Sequence, residues 1–341
     1  VGASPYTTEQ DGPMQNDPGV SMTAVTIHEM AHTMGQLGSN NAGTWLSPLY
    51  VFSAQVVDQN GSPVAPGDTF NCDTPLFFNG PNAAAVFGDG SPRPVPLTTV
   101  SFQKSHLGID PLLMTHESYR NYPFFAEVEL AVLQDLGYDM NRSDFFGRSF
   151  YTDGTPGTTV TNDISFNSAA TYGIGLHLHA NHRGVLQNAD LLATGIAGNG
   201  IRIDGNDNTV TVAPGTRVEA NNEYGVGVLV SNGARNAIAH RGSITASHHD
   251  AGNPSKSGRG MLFSFGNNIL GSMDDRNSAS AATGDYLVSR ADITGSVSAG
   301  GGNGNAVEID SSAAVKEINL MNGAAIDGHI QSDALTNGTL N

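Results

Sequence analysis

From residue 150 onward the chain repeats one short phrase, and that repeat limits the available folds more than any other feature. It reads "YGIGLHLHA", "NGIRIDG", "YGVGVLVSNG", "RGMLFSF" and "NAVEID", each an alternating apolar run bounded by Gly, Asn or Asp. The anchors Ile174, Ile201 and Val226 are 27 and 25 residues apart, and Met261 follows 35 later, with "HHDAGNPSKS" as the insertion. Pieces of this size are strands. A strand-built repeat in the twenties can bury its apolar face only against the copies before and after it, which is the logic of a solenoid. The expectation is a parallel β-helix in which Ile174, Leu176, Ile201, Ile203, Val226, Val228, Met261 and Phe263 stack inside. At about 4.8 Å per coil, about seven coils would make a rod about 35 Å long. A β-sandwich would not need the recurring glycine.

Composition agrees. Gly accounts for 42 of 341 residues and charged residues for 14%, against about 25% in average globular proteins, which favours turn-rich β structure. A net charge of −17 with only 15 Lys and Arg excludes a nucleic-acid partner, because phosphate binding needs concentrated positive charge. No apolar run approaches the roughly 20 residues of a membrane span. Cys72 is the single cysteine, so there is no internal disulfide and any zinc site must be built from His and carboxylates. The chain begins with Val and shows no signal peptide, so it reads as a processed form or a fragment.

Residues 1–148 follow a different grammar. Ser21 is a candidate N-cap, and Met22, Val25, Ala31 and Met34 give a helix its apolar side until Gly35 stops it. A second helix is expected in "FAEVELAVLQDLGYD", buried through Val128, Leu130, Val132, Leu133 and Leu136, with Gly137 just past its end. The intervening stretch, including "FNGPNAAAVFGDGSPRPVPL", is expected to be loop with short strands.

The first of these helices carries His28-Glu29-Met30-Ala31-His32. Side chains four apart on a helix lie about 5–6 Å from one another, so His28 and His32 can reach one ion, while Glu29 stands beside it within reach of a bound water. Elsewhere, His177 and His179 alternate along a strand, His182 follows, and His248 and His249 sit in the insertion. With no helical spacing or paired carboxylate, these five are expected on the solvated surface.

"HEMAHTMG" resembles the opening of the metzincin zinc-protease signature, in which a third histidine follows the glycine turn three residues later. Here that place is held by Gly38. The leishmanolysin-like branch delays the third histidine behind a long insertion and follows it with the methionine of the Met-turn, a pattern that "SHLGIDPLLM" resembles. The resemblance implies Zn²⁺ held by His28, His32 and His106, with Met114 in the Met-turn and Glu29 as the general base of peptide hydrolysis. His116 is the rival third ligand, and His116 or Tyr119 is a candidate to stabilise the oxyanion. It also implies an α+β fold for residues 1–148, although the 27 residues before His28 leave no room for the sheet that normally precedes the active-site helix.

Residues 149–341 resemble passenger domains of Gram-negative autotransporters in their coil-sized repeats, scarce cysteine and abundant Gly, Asn, Ser and Thr. That resemblance, with the right-hand preference of parallel crossovers, implies an all-β right-handed parallel β-helix exported to the cell surface or beyond. The joint expectation is a secreted or surface-displayed zinc endopeptidase acting on a protein or peptide substrate and carried on a stalk. The alternative is a non-enzymatic adhesin with a degenerate protease-like domain, whose solenoid binds a host or neighbouring-cell surface molecule.

Overall fold

The computed structural model describes residues 6–7, 20–37, 51–65, 67–99, 104–109, 112–115, 125–264, 286–311, 313–334 and 338–341. The chain divides into two units, one reaching Arg142 and the other starting at Ser143.

In the first unit, α1 (Met22–Thr33), α2 (Pro81–Phe87) and α3 (Glu127–Asp135) accompany an antiparallel sheet of Val56–Asp58, Leu76–Phe78 and Val95–Pro96, with Leu76–Phe78 central. α2 lies where loop was expected. Its first position is Pro81 and its body is alanine-rich, both favourable to helix. Its exposed first N–H groups are satisfied from another helix: Asp135, at the end of α3, accepts from the backbone N–H of Asn82 at 3.0 Å and of Ala83 at 2.9 Å. Gly80 permits this approach, since a Cβ there would lie 2.2 Å from the Asp135 carboxylate. α3 buries Val128, Glu129, Ala131, Val132 and Leu133, whereas Leu130 and Leu136, expected in the buried face, are only half-buried. Phe52 stacks on Phe78 with ring centroids 4.7 Å apart, and Val56, Val95, Leu97, Leu107, Leu113 and Met114 complete an apolar interior.

The second unit consists of three parallel sheets that the chain visits in fixed rotation. One holds Phe146–Phe150, Ile174–Leu178, Asn199–Ile203, Val226–Val230, Arg259–Phe263, Asn305–Ile309 and His329–Ser332. The next strand after each of these seven joins a second sheet, from Thr159–Asn162 through Thr209–Val212 to Thr339–Leu340, and after each of the first six the strand that follows joins a third, from Phe166–Ser168 through Arg217–Glu219 to Ala325–Asp327. Every neighbouring pair in these sheets is parallel. Phe146–Phe150, which the boundary expected at 148/149 would cut, pairs with Ile174–Leu178 and so belongs here.

Register sets two buried apolar ladders in the first of these sheets. Leu176, Ile201, Val228, Met261 and Val307 form one, and Leu178, Ile203, Val230, Phe263 and Ile309 the other. The expected anchor alignment is off by two residues at one strand, because Ile174 and Val226 share their rung with Asn199 while Ile201 pairs with Leu176. The recurring glycine has a packing cause. A Cβ at Gly147, Gly175, Gly200, Gly227 or Gly260 would come within 2.9, 2.9, 2.2, 2.3 or 2.5 Å of Phe166, Leu191, Val218, Ile244 or Val297, which are consecutive members of one column in the third sheet. The loop "HHDAGNPSKS" is described and is exposed from Ala251 to Ser255, while "GSMDDRNSASAATGD", also expected to project, lies outside the described residues. Among the described residues no helix is long and apolar enough to cross a membrane.

Candidate metal centre

α1 presents His28 and His32 on successive turns, and the chain returns with His106 to meet them. His28 Nε2 stands 3.1 Å from His106 Nε2, and His32 Nε2 stands 3.2 Å from the same atom. Their other ring nitrogens are committed to backbone: His28 Nδ1 donates to the Leu113 carbonyl at 2.7 Å, and His32 Nδ1 donates to the Gln36 carbonyl at 2.9 Å. A carbonyl oxygen only accepts, so the proton of each neutral ring resides on Nδ1 and each Nε2 directs a bare lone pair inward. His28 and His32 therefore have no Nε2 proton to share, yet their rings are as close to each other as to the third. Ring centroids are 4.9 Å apart for His28–His32, 5.0 Å for His28–His106 and 4.8 Å for His32–His106. Lone pairs converging with that near-equal spacing fit a shared cation.

The distances fit one class of ion. Ligands about 2.0–2.1 Å from a tetrahedral zinc stand about 3.3 Å from one another, close to the separations seen here. Among the described residues this is the only group of three His, Cys, Asp or Glu side chains with the closeness a metal requires. Two of its members are buried, His28 at 8% and His106 at 5% exposure, and His32 is half-buried. Glu29, the next residue after His28, is exposed. A tetrahedral ion held by these three nitrogens would keep one open position.

The surrounding shell supports each ring. Glu129 is buried in α3, where its two carboxylate oxygens accept from the backbone N–H of Met114 and of Ala126, both at 2.6 Å. It thereby pins the turn whose Leu113 carbonyl orients His28. Burial pushes its pKa up to about 7, against the pull of the Ala126, Met114 and Leu113 N–H groups. Met114 is fully buried in the same turn, and its carbonyl accepts from the Leu107 N–H at 2.8 Å. On the other side Lys104, also fully buried, donates from Nζ to the carbonyls of Thr98 at 2.6 Å, Thr74 at 3.1 Å and Cys72, fixing the segment that leads into His106. Sequence reading missed Glu129, Lys104 and Gln36. The one available signal was Glu129, an acidic residue inside the apolar face of α3.

His116, Tyr119 and Gly38 lie outside the described residues. The histidines of the second unit divide. His182 and His249 are exposed as expected and His248 is half-buried, but His177 and His179 are buried at 3% and 7% exposure. The correction has a specific cause: Tyr151 packs against both rings, and His177 Nε2 donates to Asp204 at 2.9 Å. Arg202 pairs with the same carboxylate and Ser231 donates to it. Burial alone would raise Asp204, but Arg202 and His177 outweigh it and hold the carboxyl well below its ordinary range. Burial lowers His177 and takes His179 down to about 3, so both rings are neutral. This is a buried polar network that links successive strands of one parallel sheet.

No family model, curated protein or solved structure matches the chain.

Proposed function

We propose that the first unit is a zinc-dependent endopeptidase of metzincin type, with His28, His32 and His106 as ligands and Glu29 as general base. The observation that carries this reading is the convergence of three imidazole nitrogens at 3.1 and 3.2 Å, two of them stripped of their protons by backbone carbonyls. Three nitrogen donors suit zinc, and when bound it lowers the pKa of a water towards about 7 and polarises a carbonyl. The chain's own residues supply the rest. The Leu113 and Gln36 carbonyls hold two rings in the ligating tautomer. Glu29, adjacent in sequence and open to solvent, takes the proton of the attacking water and delivers it to the leaving amine.

The second unit is read as a right-handed parallel β-helix of passenger type that displays the protease at, or releases it from, a Gram-negative cell surface. The fixed rotation of strands among three parallel sheets supports the coil, and the preference of parallel crossovers supports its hand.

Two measurements test the enzymatic reading. Purified chain should contain about one zinc and cleave a denatured protein substrate, with cleavage stopped by a chelator and restored by zinc. Glu29→Gln should keep the metal and lose at least about a hundredfold in turnover, since it removes a base and no ligand. A Glu29→Gln chain that cleaves normally would refute the assignment of the base.

A further inference from the structure

We propose that Gln36 is a positioning residue that couples two of the three imidazoles, an inference that rests on the metal reading above. Gly35, with φ of 108°, turns the chain at the end of α1, so that the Gln36 N–H reaches the Ala31 carbonyl at 3.2 Å. This turn directs the Gln36 carbonyl at His32, whose Nδ1 donates to it at 2.9 Å. The side chain of the same residue runs the other way. It is 1% exposed, and its Nε2 donates to the carbonyl of Ser105, the residue before His106, at 2.8 Å. One residue thus holds His32 through its backbone and the His106 segment through its side chain.

The two roles are separable by chemistry. Any residue at position 36 keeps the backbone carbonyl that orients His32, but only a side-chain donor of this length reaches Ser105. Methionine matches the length and volume of glutamine and has no donor. Gln36→Met therefore removes the link to His106 alone, and leaves the Ser105 carbonyl, in a residue 8% exposed, without this partner. Contacts that orient ligands from behind are worth about 10–100-fold in metal affinity, and the loss here falls on one ring of three.

The test uses the full chain, stripped of metal and titrated with zinc against a competing chelator and with Co²⁺ followed by its visible absorption, alongside metal-free thermal unfolding. Gln36→Met is expected to bind zinc about 10–100-fold more weakly, to show an altered cobalt spectrum, and to keep a cooperative metal-free unfolding transition. Wild-type chain that binds neither metal overturns the metal reading and this inference with it. Wild-type binding with an unchanged affinity and spectrum in Gln36→Met overturns the role of Gln36 alone. So does loss of the metal-free transition in that variant, because the side chain would then serve the fold rather than the ligands.

Discussion

Acidification should weaken the second unit through His179, and the size of the effect follows from its burial. The ring is held neutral in the folded chain, with its pKa lowered from 6.5 to about 3. The charged and titratable groups around it are His177, Asp204 and Arg202, with Tyr151 stacked alongside. A histidine whose folded pKa is depressed binds fewer protons folded than unfolded throughout the interval between the two values. Its contribution is therefore intact above about pH 6.5 and is lost progressively as pH falls towards 3. At about 1.4 kcal/mol per unit, the loss from this one ring reaches about 2 kcal/mol at pH 5. The assay is urea unfolding of the full chain at pH 7 and pH 5, followed by far-ultraviolet circular dichroism, for wild type and His179→Phe. Phenylalanine retains an aromatic ring against Tyr151 and cannot titrate. The variant should lose about 2 kcal/mol less than wild type over this interval. Equal losses in the two chains would refute the argument that burial sets the pKa of this ring.

Two further outcomes follow from close packing around named atoms. Gly200→Ala places a methyl 2.2 Å from Val218 Cγ1 and 2.7 Å from the Gly227 carbonyl, so urea unfolding should show a loss of about 1–3 kcal/mol, and an unchanged midpoint would contradict the packing account of the glycine column. Glu129→Leu strips the Met114 and Ala126 N–H groups of their acceptor, at about 1–3 kcal/mol each, and frees the turn that orients His28. Its zinc affinity, measured by chelator competition, should fall together with its stability, and wild-type affinity would show that the turn holds without the carboxylate.

The sequence exposed local relations and hid distant ones. His28 and His32 were legible because helix geometry makes i, i+4 side chains neighbours. His106 is 74 residues beyond His32, and no spacing rule spans that gap, so only resemblance to a family pointed to it. α2 was hidden for a similar reason: the group that satisfies its start is Asp135, 53 residues after Asn82. The β repeat was visible as a recurrence of glycine and apolar residues. Its register was not, because Asn199 occupies a rung that its neighbours fill with Ile174 and Val226. Alternation put His177 on the face opposite Leu176 and Leu178, and a single-sided reading assigned that face to solvent. Burial of His177, Arg202 and Leu229 on successive coils shows the face covered there, which alternation alone cannot reveal.

The partners of each β rung lie close by in sequence, as Asn162 finds Gln187 across 25 residues. Parallel sheets made of such near-neighbour steps can begin from a few strands and lengthen one repeat at a time, with every added strand finding its template already in place. The three-imidazole centre has no such graded route. Its contacts join His28 to Leu113 across 85 residues and to His106 across 78, so the cluster does not form until distant parts of the first unit have come together. A chain with this pairing of units would acquire its parallel sheets gradually and its three-imidazole cluster all at once.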